Sequence, residues 1–103
     1  LADGEMAWSS FQKAMRIFTY ARAKALKEGK IHPTQKPVDL YRWILKNYAK
    51  PNDKILDTHG GSMSSAIACH MEGFELDICE LDKEYFDAAV NRFKIYEQQQ
   101  KLF

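Results

Sequence analysis

From Val38 onward the apolar positions follow two rhythms in turn. Val38, Tyr41, Leu45 and Tyr48, joined by Leu40 and Ile44, recur at helical spacing and predict an amphipathic helix with Pro37 at its first position. Asn47 to Asn52, with Pro51, should end it. Lys54 to Asp57 is a short strand that breaks at Gly60-Gly61. Ser64 to Met71 is small and apolar enough for a helix packed tightly on a sheet, and Gly73 offers a left-handed stop. Phe74, Leu76 and Ile78 then mark a second buried strand. Asp82 caps a last helix that buries Phe86, Ala89, Val90 and Phe93, with a polar tail over 97–101 expected to fray.

Upstream the pattern is less decided. A short strand fits Glu5 to Ser9. Across 11–30, Ala14, Ala21, Ala23, Ala25 and Leu26 with interspersed lysines favour a helix. Met15 to Tyr20 alternates and is rich in β formers, so a strand fits that stretch equally well. Gly29 ends whichever forms. Ile31 to Pro37, with Pro33 and Pro37, is a linker that regular structure cannot accommodate.

Strand, glycine loop, helix and strand, closed by Glu80 about 20 residues after the glycines, is the order of a nucleotide-binding βαβ unit. Glycines let backbone approach a ligand with no Cβ in the way, and the helix behind them aims N–H groups and a positive dipole end at it. A carboxylate at the next strand end can accept hydrogen bonds from a ribose diol. The bland alternative is a plain strand-to-helix turn with a solvated acid at Glu80.

Length and composition narrow the class. One domain at most fits in 103 residues, and 46% hydrophobic with 13% aromatic content argues for a folded chain. A net charge of +1 rules out a polyelectrolyte partner for DNA as a whole, but the charge is uneven. Between 11 and 36 stand Lys13, Arg16, Arg22, Lys24, Lys27, Lys30 and Lys36 against Glu28 alone, so any DNA binding should be weak, non-specific and salt-dependent. Cys69 and Cys79 sit in apolar segments and read as reduced core thiols of a cytoplasmic protein. No stretch reads as a signal peptide or membrane span.

Other chemistries fit less well. A dehydrogenase expects Gly-x-Gly-x-x-Gly, which Gly60-Gly61-Ser-Met-Ser-Ser does not supply. Gly60 to Ser64 approaches the nucleophile turn of a serine hydrolase, but the only later histidine, His70, lies on the same helix. His32, His59, His70 and the cysteines have no metal-ligand spacing.

His32-Pro-Thr-Gln-Lys-Pro37, a helix, Ile55-Leu-Asp57, the glycine loop and Glu80-Leu-Asp-Lys-Glu-Tyr85 together resemble one family over about 5–92. It is the C-terminal part of the amino-group DNA methyltransferases, the adenine-N6 and cytosine-N4 enzymes that use S-adenosylmethionine. The resemblance implies an α/β, partial Rossmann-like methyltransferase fold, a mixed sheet with flanking helices. It turns the undecided N-terminal stretch towards a β-hairpin within 1–30, ahead of a cofactor-binding half over 31–103. Asp57, Thr58, Gly61 and Ser62 would line the amino-acid and ribose end of S-adenosylmethionine. Glu80 would take the ribose hydroxyls, Leu81 or Asp82 would border the adenine, and Thr34, Gln35 and Lys36 would meet the methionine part.

Two departures stand out. Relatives carry a glycine at Met63 and a phenylalanine at His59. The tetrapeptide Asp/Asn/Ser-Pro-Pro-aromatic, which holds the flipped base in the family, is absent, since the prolines are Pro33, Pro37 and Pro51. With no initiator methionine either, the expectation is an incomplete single domain with no catalytic residue and no metal. It would bind cofactor for a DNA methyltransferase, adenine N6 being favoured, or serve as a non-catalytic binding or dimerisation module. A sheet edge or apolar face left open would favour a homodimer.

Overall fold

A computed structural model describes residues 5–20 and 35–101. Helix α1 (Val38–Tyr48) follows Pro37, which sits one position outside the helix as its N-cap, with ψ 145. The Pro37 carbonyl accepts the Leu40 N–H at 3.1 Å. Residues 50–53 then turn the chain. Pro51 takes the second position, Asn52 adopts φ 72 at the third, and Asp53 N–H reaches the Lys50 carbonyl at 3.1 Å. The Asp53 carboxylate also accepts the Lys50 N–H at 2.8 Å, so both ends of the turn are tied.

Strand β1 (Lys54–Asp57), helix α2 (Ser64–Glu72) and strand β2 (Glu75–Ile78) make one parallel βαβ unit. Gly73 ends α2 at φ 78, a conformation that would strain any side chain, and Phe74 N–H turns back to the Cys69 carbonyl at 2.9 Å. The register sets Ile55 against Leu76 and Asp57 against Ile78. Helix α3 (Lys83–Lys101) starts at Asp82, whose Oδ1 accepts the Tyr85 N–H at 3.0 Å.

The core lies between α1, α2 and one face of this sheet. Leu45, Ala68 and Cys69 are buried at its centre, with Val38, Tyr41, Ala49, Ile55, Phe74 and Leu76 packed around them. The partly buried pair of Arg42 Nε and Glu72 Oε2 pins α1 to α2 at 3.1 Å. On the far side, α3 meets α2 through His70, whose ring stands edge-on to Phe93 and Tyr96 at 5.9 and 5.5 Å. Among the described residues no helix is long and apolar enough to cross a membrane.

The α/β partial fold expected from the sequence is present, with differences in detail. Residues 5–20 carry no strand, and among the described residues the sheet is the parallel pair alone; the rest of the expected 1–30 hairpin, 1–4 and 21–30, lies outside the described residues. The β formers of this stretch spend their side chains on α1 instead. Phe11 meets Tyr48 at 5.3 Å, Phe18 meets Trp43 at 5.6 Å, and Lys13 and Arg16 donate to Asn47 at 2.8 and 2.6 Å. Anchored to a helix, the segment has no ladder partner among the described residues, and Met6, Trp8, Met15 and Ile17 stand exposed.

Among the described residues, the helices that touch the sheet do so on one face. Lys54, Leu56, Glu75 and Asp77 on the other face are exposed, with Lys54 paired to Asp77 at 3.2 Å. The expected helical faces are also narrower, since Ile44 and Phe86 remain exposed. The polar tail of α3, finally, continues as helix through Lys101.

The two cysteines part company. Cys69 is 2% exposed, and burial first, then the nearby Asp57 carboxylate, raises its thiol pKa. Cys79 is exposed, contrary to the reading of both as core thiols, because it follows β2 where the chain leaves the sheet. At neutral pH a disulfide-exchange reagent should modify one thiol quickly, and Cys79→Ser should abolish that phase. Cys69 should react only as urea unfolds the chain; two fast thiols would contradict this core.

Candidate functional site

Both strands of a parallel βαβ unit end on the same side, and there the loop after β1 meets the turn after β2. Asp57 closes β1 and is consumed by the loop itself. Its Oδ1 accepts the His59 N–H at 3.0 Å and its Oδ2 the Ser65 hydroxyl at 2.5 Å. Its carbonyl accepts the Cys79 N–H at 2.9 Å, which carries the pairing beyond β2. Thr58 Oγ1 lies 2.8 Å from His59 Nδ1.

Gly60 then lies flat against the other strand end. Its N–H reaches the Cys79 carbonyl at 2.6 Å, and a Cβ built on it would stand 2.8 Å from Ile78 Cγ1 and 3.1 Å from that carbonyl. Only a residue without a side chain fits without displacing something. Gly61 N–H donates to Glu80 Oε1 at 2.8 Å, and Asp82 N–H donates to Glu80 Oε2 at 2.8 Å. Glu80 thus closes the space between loop and turn. A carboxylate is an acceptor at both oxygens, the chemistry that a ligand's hydroxyls would meet there.

Met63 takes the left-handed conformation, φ 63 and ψ 29, at the N-cap of α2. That conformation costs an ordinary residue about 1–2 kcal/mol, and it explains why a glycine would suit the position. Its side chain is buried and stays out of the cleft, so the exchange of glycine for methionine does not narrow the opening.

The cleft so formed has a volume of about 590 Å³, within the range of small-molecule sites. Gln35, Lys36 and Tyr41 form one wall; the loop from His59 to Ser62 and Ser64 forms the floor; Glu80, Leu81, Asp82 and Tyr85 form the other wall. Lys36 Nζ is held by the Glu5 carboxylate at 2.7 Å. Burial first, and then the Asp57 charge, raise the Tyr41 phenol above its ordinary 10.0, so at neutral pH it presents an O–H.

Of the residues singled out in the sequence, the cleft gathers Gln35, Lys36, Gly61, Ser62, Glu80, Leu81 and Asp82. Asp57 and Thr58 do not line it; they serve the loop from behind, because the strand end turns their side chains to the loop's own N–H and hydroxyl groups. Thr34 lies outside the described residues. Tyr41, Ser64 and Tyr85 were not singled out as site residues. Tyr41 had looked like plain core on its helical spacing, and the signal for Tyr85 was its place one turn into a helix that begins at the cleft.

The profile of the family described as DNA methylase, covering N6 and N4 methyltransferases, matches residues 5–91. The chain belongs to this family. Among relatives of this DNA methylase chain, the type II methyltransferase M1.MboII of Moraxella bovis is 34% identical over 76 residues, which are 70% of this chain and 29% of the relative. The type II methyltransferase M.Cfr9I of Citrobacter freundii is 36% identical over 58 residues, 56% of this chain and 19% of that protein. The crystal structure of an M1.HpyAVI-SAM complex superposes with a TM-score of 0.60 at 37% identity, covering 63% of this chain and 32% of the other. The chain therefore spans under a third of the length of these relatives.

Gly60 offers a direct check of how this methylase loop is held. Gly60→Ala should force the loop off β2, costing about 1–3 kcal/mol of stability by urea unfolding, as overpacking does. Unchanged stability would mean that Ile78 and the Cys79 carbonyl do not confine it.

Proposed function

We propose that this chain is the S-adenosylmethionine-binding segment of a site-specific DNA methyltransferase that modifies an exocyclic amino group, adenine N6 in preference to cytosine N4. The observation that carries the reading is the Glu80 carboxylate, set between Gly61 and Asp82 at the mouth of a cleft of suitable size. The donor set fits the cofactor. Glu80 would accept the ribose hydroxyls, and Leu81, fully exposed at the rim, would border the adenine with Asp82. Gly61 and Ser62 would hold the amino-acid end, backed by Asp57 and Thr58, with Thr34, Gln35 and Lys36 facing the methionine part.

When bound, the sulfonium supplies an electrophilic methyl group to an attacking amino nitrogen. The residues of this chain bind and orient that donor and keep one side of it from water. They include no Asp/Asn/Ser-Pro-Pro-aromatic segment to hold a base. DNA would be engaged by the intact enzyme, in a prokaryotic or phage-like cytoplasm. The exposed apolar side chains of residues 6–17 and Leu56 would favour self-association of this segment alone.

Calorimetry with S-adenosylmethionine and with NAD tests the donor site. Charge-assisted bonds are worth about 1.5–3 kcal/mol each, so Glu80→Ala should weaken S-adenosylmethionine binding at least about tenfold. Because Glu80 also tethers Gly61 and Asp82, urea unfolding of the variant is measured alongside. NAD should not compete; competition would favour a dinucleotide enzyme, and no binding of either ligand at millimolar concentration would defeat the assignment.

The chain by itself should transfer no methyl group to DNA. Incubation with labelled S-adenosylmethionine and mixed-sequence DNA checks this, and label incorporated above a no-protein control would show that base-holding groups were overlooked.

A further inference from the structure

Helix α3 carries a residue that no motif in the sequence marks. Arg92, partly buried and two turns beyond the cleft-lining Tyr85, reaches back to the loop after β1. Its Nη1 donates to the Ser62 carbonyl at 3.0 Å and to the Ser64 hydroxyl at 3.0 Å. Ser62 and Ser64 are 3% and 2% exposed, and their hydroxyls lie 3.1 Å apart. Between them stands Met63, left-handed at φ 63. One guanidinium nitrogen therefore grips the residue before and the residue after the only strained position of the loop, and both gripped residues line the cleft.

We infer that Arg92 is a positioning residue for the ligand loop: it holds Met63 in a conformation that a glycine would adopt unaided, and so keeps Ser62 and Ser64 facing the cleft. The inference rests on the cofactor reading above. Without the guanidinium, two buried acceptors lose a charged donor and the left-handed conformation loses its support. The loop then relaxes towards ordinary backbone angles, turning Ser62 and Ser64 away. Arginine suits the task because its charge stays on at any working pH and the two hydrogens of Nη1 lie in one fixed plane, one for each acceptor.

The test uses the 103-residue chain and four forms of it: wild type, Arg92→Gln, Met63→Gly and the double variant, each with its own unfolding curve. Calorimetry with S-adenosylmethionine should show Arg92→Gln binding about tenfold more weakly, the equivalent of 1.36 kcal/mol. Met63→Gly should bind as wild type or better, and the double variant should recover most of the loss, because glycine needs no brace.

A merely structural arginine would lower stability and weaken binding equally in both backgrounds; that result, or wild-type affinity in Arg92→Gln, would overturn the inference. Backbone chemical shifts and couplings of Ser62, Met63 and Ser64 provide a second readout without ligand. The left-handed signature of Met63 should vanish in Arg92→Gln, and its persistence would overturn the inference even if the wild type bound no cofactor. Absence of binding by the wild type with loss of that signature would defeat the cofactor reading alone. Should Arg92→Gln not fold, Arg92→Lys replaces it, keeping charge and stem and giving an intermediate loss.

Discussion

One carboxylate holds the working end of this chain together. Glu80 follows β2, and its two oxygens take the Gly61 N–H from one loop and the Asp82 N–H from the next turn. The bond to Gly61 joins residues 19 apart in sequence, and the bond to Asp82 fixes the entry of α3, since the Asp82 side chain then caps that helix. Removing the charge would therefore do more than alter one wall of the cleft. It would loosen the glycine loop, the helix entry and the wall between them at once.

Besides Glu80, the loop is fastened from three further sides, each by a different kind of group. From behind, Asp57 accepts a backbone amide and the Ser65 hydroxyl. From the neighbouring strand end, Gly60 pairs with Cys79 through backbone atoms at a distance no side chain would permit. From α3, Arg92 grips both neighbours of Met63. The small residues that open α2 make this close arrangement sterically feasible. Ser64, Ser65 and Ala68 are buried, and longer side chains there would push the helix off the sheet and open the loop with it.

Much of this was legible before any coordinates. The β1, α2 and β2 boundaries, the left-handed stop at Gly73 and the cap at Asp82 follow from signals confined to a few residues. Glu80 was legible from its distance to the glycines. Composition without context says less: Met15 to Tyr20 has the side chains of a strand, but among the described residues no strand lies beside it to pair with, and Phe18 settles on Trp43 instead. For Asp57 and Thr58 spacing says less, because residues at a strand end next to a site can face either a ligand or the loop, and here their side chains bond within the loop and to Ser65.

The sequence by itself determined the local elements, their order and the family, since periodic burial, caps, turns and glycine placement act over distances of a few residues. The tertiary structure decided which groups meet. It left Lys54, Leu56, Glu75 and Asp77 exposed on one sheet face, placed Tyr41 from α1 and Tyr85 from α3 on one cleft, kept the Met63 side chain out of that cleft, and brought Arg92 to Ser62 across 30 positions of chain. Contacts of that reach depend on how α3 lies against α2, and packing of whole helices leaves no trace in the spacing of any one of them.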